Sequence, residues 1–109
     1  MEASFYEQVF EIARLVPKGR VTSYGAIAKA LGAGGSARMV GYAMSNAGIA
    51  QPKVPAHRVV NSSGLLTGKF HFSPPELMQQ LLEQEGIKVE NDKIKDFRKV
   101  FWNPLEEII

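Results

Sequence analysis

The stretch RVTSYGAIAKALGAGGSARMVGYAMSN, residues 20–46, decides how this chain is read. Its first three residues are extended in character. Thr22 or Ser23 can then cap a short helix over 24–31, in which Ile27 and Leu31 face inward among small alanines. Gly32-Ala33-Gly34-Gly35 predicts a turn, because glycine reaches the left-handed backbone region that a corner between helices needs. Ser36 is placed to cap a third helix running to about Asn46. Two short helices joined by a glycine turn, with a packing helix before them, read as a helix-turn-helix. The third helix is unusual for a DNA reader, since Ala37 and Gly41 are small and Arg38 is the one long probe on that face. Major-groove helices ordinarily carry several Arg, Asn or Gln to base edges. A small face permits close approach, either to another helix or to a narrow groove.

Upstream, Ser4 and Glu7 have the spacing of a capping box. Phe5, Val9, Ile12 and Val16 recur at helical spacing, with Tyr6, Phe10 and Ala13 beside them, so an amphipathic helix is expected there. Pro17-Lys18-Gly19 stops it. Downstream, residues 48–54 read as a loop. Val54-Pro55-Ala56-His57-Arg58-Val59-Val60 then reads as a stiff, mostly buried strand carrying two polar heads that need partners. Asn61-Ser62-Ser63-Gly64 is a turn, and residues 67–72 form a second loop with Lys69 and His71. Ser73-Pro74-Pro75-Glu76 carries helix-start signals. Leu77, Met78, Leu81 and Leu82 make the inward stripe of that helix, and Gly86 ends it. Glu85 sits at the C-terminal end, where a negative charge opposes the helix dipole; a residue so placed has reason to serve elsewhere. Residues 87–89 and 93–95 alternate around Asn91-Asp92 as a small hairpin, a candidate wing. Phe97, Val100, Phe101 and Trp102 are expected to dock the tail.

The chain has 109 residues and a hydrophobic content of 45%, which fits one domain spanning 1–109. The fold class expected is mainly α with small β elements, a winged-helix-like helix-turn-helix domain. There is no cysteine, which excludes disulfides, thiol chemistry and thiolate metal sites. Two histidines, His57 and His71, are a thin basis for zinc, and no metal or cofactor is expected. No apolar run approaches the roughly 20 residues of a membrane span. No secretory signal opens the chain, and a cytoplasmic location is expected. The net charge of +2 permits nucleic-acid binding without demanding it.

Four ordered motifs, VPKGRVTSYGAIAKALG, SARMVGYAM, VPAHRVVNSSG and LLEQEG, resemble the C-terminal DNA-binding domain of the O6-alkylguanine-DNA alkyltransferases. The likeness runs from about Phe5 to Val89. The family motif is Pro-Cys-His-Arg, and its cysteine accepts the alkyl group. Here that position is Ala56, and a thiolate is the nucleophile such chemistry requires. The chain therefore resembles the alkyltransferase-like proteins, which keep the fold, lack the cysteine, bind O6-alkylguanine DNA and pass the site to nucleotide excision repair.

That resemblance implies a set of roles. Arg38 would enter the duplex and fill the space of the flipped base, with Tyr24 pressing on the adjacent phosphate. Ser36, Ala37 and Gly41 would lie with it against the minor groove. Met44, Val54, Pro55 and Ala56 would form the lesion pocket. Lys69 would either sense the guanine edge or remain a solvated loop lysine, and Arg58 would contact phosphate or brace the pocket. Asn46, His57 and Glu85 would be the remnant of the family's hydrogen-bond relay, although the Asn46 match needs a one-residue gap. The partners implied are double-stranded DNA carrying O6-alkylguanine and nucleotide excision repair proteins, with the protein itself a monomer. Two other readings compete: an active methyltransferase, disfavoured without cysteine, and a helix-turn-helix regulator, which leaves the Pro-Ala-His-Arg segment unexplained.

Overall fold

The structure, a computed structural model, describes residues 4–32 and 36–108. Helix α1 (Phe5–Leu15) begins as its capping box dictates, the Ser4 hydroxyl accepting the Glu7 N–H at 3.1 Å. Its inner face, Val9, Phe10, Ile12 and Ala13, is buried. The chain then turns through Gly19, at φ 86°, into β1 (Thr22–Ser23). Ser23, rather than Thr22, caps α2 (Tyr24–Ala30), its hydroxyl accepting the Ala26 N–H at 3.1 Å. Gly32 opens the interhelical turn at φ 66°; the remainder of the expected Gly32–Gly35 corner lies outside the described residues. Helix α3 (Ala37–Ser45) packs with α1 and α2 around Val9, Ala13, Ile27, Val40, Ala43 and Met44.

Two dipeptides hold the halves of the molecule together. β1 pairs in parallel with β2 (Val59–Val60), Thr22 opposite Val59 and Ser23 opposite Val60. Successive strand residues point to opposite faces. Val59 accordingly enters the core of α1, α2 and α3, while Val60 enters a second core with Val21, Leu66, Met78, Leu82, Ile87 and Ile94. Each buried valine contributes about 1.5–3 kcal/mol of apolar transfer. The second core is built on α4 (Leu77–Gln84) and a hairpin of β3 (Val89–Glu90) and β4 (Lys93–Ile94). Asn91 and Asp92, at φ 53° and 61°, give the hairpin a tight turn whose twist matches its strands. The tail, α5 (Phe97–Val100) and α6 (Pro104–Glu107), docks on β1's approach. The Val21 N–H donates to Val100 O at 2.9 Å, and the Trp102 N–H donates to Val21 O at 2.7 Å.

Four local expectations are corrected. The expected strand over 54–60 shrinks to its last two residues. Pro55, at φ −76° and ψ 70°, makes an inverse γ-turn in which the Ala56 N–H donates to Val54 O at 2.8 Å, and Ala56–Arg58 follows as one 3₁₀ turn. Ser36 holds the N-cap position of α3 but makes no side-chain capping bond. The loops expected at 48–54 and 67–72 contain 3₁₀ turns, Ala47–Ile49 and Thr67–His71. Helix α4 starts at Leu77, after Glu76, and not at the Ser73 cap. Pro75 excludes the helical conformation from Pro74, so residues 74–76 form a turn in which the Leu77 N–H donates to Pro74 O at 2.9 Å.

Candidate nucleic-acid interface

At the end of α4 the chain makes a Schellman stop. The Ile87 N–H donates to Leu82 O at 3.1 Å, and Gly86 takes φ 86°. This stop points the Glu85 carboxylate back into the molecule, with only 8% of its side chain exposed. One oxygen accepts the Gly19 N–H at 2.9 Å. The other accepts from His57 Nε2 at 2.7 Å and from Arg58 Nη2 at 2.8 Å. Arg58 Nη1 also donates to Val16 O at 3.0 Å. The carboxylate at the unfavourable end of its own helix thus joins three segments: the turn after α1, the 3₁₀ turn Ala56–Arg58, and α4.

Burial pushes the Glu85 pKa upward, but the hydrogen bonds from Arg58, Gly19 and His57 outweigh it and bring the group to about 2. Burial draws the His57 pKa below its ordinary value, against the pull of Glu85. Near neutrality His57 is therefore uncharged. Its Nε2 must carry the proton, because its partner is an ionised acceptor.

In front of this cluster opens a cavity of about 1090 Å³. Tyr24, at the start of α2, and Gly41, Met44 and Ser45 of α3 form one wall. Val54, Pro55, Ala56 and His57 form a second, and Thr67, Gly68, Phe72, Leu77 and Leu81 the third. Tyr24 reaches across: its hydroxyl bonds to Thr67 and lies 2.8 Å from where a Cβ on Gly68 would stand. Burial raises the Tyr24 pKa, the Thr67 bond opposing, so the ring remains a neutral phenol. Arg14, Arg38, Lys53 and Arg58 lie on the lining, and among the described residues no aspartate or glutamate does. Among the described residues nothing pairs with Arg38, which projects exposed from the first turn of α3.

Of the sequence-predicted site residues, Tyr24, Arg38, Gly41, Met44, Val54, Pro55, Ala56 and His57 share this single cavity, with Glu85 directly behind His57. Ser36 and Ala37 sit half-buried at the start of α3 and are not on the lining. Two expectations are overturned. Lys69 does not line the pocket; its Nζ pairs with Asp92 at 2.6 Å and lies 5.2 Å from the Phe70 ring centroid. An ammonium facing a carboxylate at that distance is held toward the hairpin. Asn46 is no member of the His57–Glu85 pair, because its amide donates to Tyr42 O at 3.0 Å and closes the end of its own helix. Sequence reasoning missed Arg14, Lys53, Thr67 and Gly68. Leu77 and Leu81 were legible only as core, and both are half-buried on the pocket side of α4.

The fold and this cavity define a helix-turn-helix domain with a hairpin wing and a cationic pocket beside its second helix. The chain belongs to the family described as the DNA-binding domain of 6-O-methylguanine DNA methyltransferase, whose model matches residues 4–87. It is 39% identical over 100 residues to a DNA base-flipping protein of Vibrio parahaemolyticus, covering 92% of this chain and 97% of that one. It is 30% identical to alkyltransferase-like protein 1 of Schizosaccharomyces pombe, covering 92% and 95%. Among solved structures, the Schizosaccharomyces pombe Atl1 protein in complex with damaged DNA containing O6-carboxymethylguanine superposes with a TM-score of 0.79 and 30% identity, over 95% of this chain and all of that one. The methyltransferase of Mycobacterium tuberculosis in complex with DNA matches with a TM-score of 0.66 and 36% identity, over 78% and 51%.

Proposed function

We propose that this chain binds double-stranded DNA carrying O6-alkylguanine, extrudes the altered base into the cavity beside α3, and leaves the alkyl group in place. The observation that carries the reading is Ala56. It lines the pocket next to a His57–Glu85 pair held at 2.7 Å, so the position that holds a cysteine in the alkyltransferases has its supporting histidine and no nucleophile. A methyl group has no lone pair with which to attack. The relatives' names, a base-flipping protein and an alkyltransferase-like protein, support the same reading.

In this role Arg38 is the residue that enters the duplex. Extruding a base costs a few kcal/mol of stacking and pairing, least where pairing is already damaged. A planar guanidinium offsets part of that cost by stacking and donating hydrogen bonds in the vacated space. Ala37 and Gly41 let α3 approach the minor groove, with Ser36 at its start. Met44, Val54 and Pro55 offer the base an apolar wall. Tyr24 presses on the phosphate beside the extruded nucleotide, and the His57–Glu85–Arg58 cluster fixes the back wall. The protein acts as a monomer in the cytoplasm or nucleoid and passes the marked site to nucleotide excision repair.

The experiment is binding to two short duplexes identical except for one O6-methylguanine, followed by mass spectrometry of the protein. Tighter binding to the altered duplex with unchanged protein mass is expected. A gain of one methyl mass would overturn the non-transferring role, and equal affinity for both duplexes would reduce the protein to a general DNA binder.

A further inference from the structure

Two of the cations on the cavity belong neither to α3 nor to the Glu85 cluster. Arg14 lies at the end of α1, and Lys53 lies in the loop that leads into Val54. Arg14 donates from Nε and Nη2 to Pro52 O, at 3.0 and 2.7 Å. A carbonyl oxygen fixes a guanidinium without neutralising it, and three of its five N–H groups remain to be used. The same bonds hold the neighbouring Lys53 at the end of α1. No carboxylate among the described residues pairs with either side chain, whereas Arg58 on the same lining is neutralised by Glu85. Lys53 is exposed, and its charge adds a minor push to the lowering of the His57 pKa. The molecule thus keeps two uncompensated positive charges, Arg14 fixed by Pro52 and the Lys53 side chain free to move, on the pocket side formed by α1 and the 50–53 loop.

We propose that Arg14 and Lys53 form a second phosphate-binding site, which grips the phosphodiester backbone of the strand whose nucleotide enters the cavity. The inference rests on the function proposed above and extends the DNA footprint beyond α3. Arg14 is pre-oriented by Pro52, so little rotamer freedom is lost when it meets a phosphate oxygen. Lys53 contributes as a mobile point charge. Both contacts are blind to sequence and to the lesion, since phosphate contacts position a protein without reading bases.

The test is the salt dependence of binding, measured by fluorescence anisotropy on the altered and unmodified duplexes. Each phosphate neutralised contributes about 0.9 to the slope of log affinity against log salt. Lys53→Gln should lower the slope by about 0.9 on both duplexes, a loss of about eightfold at 0.1 M salt referred to 1 M. Lys53→Arg should restore it, and Arg14→Gln with Lys53→Gln should lower it by about 1.8. Lys99→Gln, on α5 away from the cavity, serves as the control. The ratio of affinities for the two duplexes should stay within about twofold of wild type, as expected for contacts that carry no base information. A Lys53→Gln slope equal to that of the control overturns the inference while leaving the lesion reading intact. Loss of the wild-type preference for the altered duplex overturns the lesion reading, and the slopes still decide the phosphate site.

Discussion

Glu85→Gln is the substitution that most directly tests how the back wall of the pocket is held. The carboxylate accepts from Gly19, His57 and Arg58, and the side chains of His57 and Arg58 are only 13% and 17% exposed. Removing one partner of a buried ion pair costs about 3–5 kcal/mol, because the other charge is left uncompensated. Two features reduce that figure here. The amide oxygen of glutamine still accepts, and Arg58 keeps its bond to Val16 O. A fall of the Glu85 pKa from 4.5 to about 2 corresponds to about 3 kcal/mol as an upper figure. The expected loss at pH 7 is therefore about 2–3 kcal/mol, a decrease of roughly 2 M in the urea midpoint at a slope near 1.3 kcal/mol/M. Trp102, the single tryptophan and 7% exposed, reports the transition by fluorescence. Arg58→Met should cost about 2 kcal/mol by itself. The double variant should lose about 3 rather than 5 kcal/mol, because the stranded charge is removed together with its partner. Additivity within about 0.5 kcal/mol would refute the claim that Glu85 acts by compensating Arg58.

Arg38→Ala should abolish the preference for O6-alkylguanine DNA while leaving the urea midpoint unchanged, since the side chain has no partner among the described residues; preserved preference in the duplex comparison would remove Arg38 from the duplex. Gly68→Ala should leave stability within about 1 kcal/mol, because the clash is with the far end of Tyr24, yet it should shift that ring and weaken DNA binding. In a Tyr24→Phe background the same change should have no further effect on affinity, and a full effect there would refute the contact. Glu85 binds fewer protons folded than unfolded, so its contribution is complete above about pH 4.5 and is lost as pH falls toward about 2. Carboxyl-carbon NMR of the folded protein checks this directly, and a Glu85 titration at the ordinary carboxylate value would refute it.

The helix-turn-helix was legible because its signals are local. Ser4 and Ser23 cap as side-chain chemistry requires, and the apolar spacing of α1 marks its buried face. The site was legible in part because a family motif carries residue identities into place. Its failures share one cause, the dependence of a polar side chain on partners distant in sequence. Lys69 is claimed by Asp92, and Asn46 by the carbonyl of Tyr42. Arg14 has no meaning until the fold brings Pro52 to it across 38 positions. The strand misread at Val54–Arg58 failed differently. β-branched residues flank a proline whose γ-turn breaks the strand, and the break is what delivers His57 and Arg58 to Glu85.

Ala56 changes how the protein can be used over time. A thiol that accepts an alkyl group forms a carbon–sulfur bond, and that molecule is spent. With alanine at the position, and in the role proposed, the complex is held by non-covalent contacts alone, and each molecule leaves the DNA as it arrived. The number of altered sites that can be attended is then set by residence time and by copy number in the cell. One molecule can visit many sites in succession, and a slow departure, rather than a chemical step, becomes the property on which selection acts.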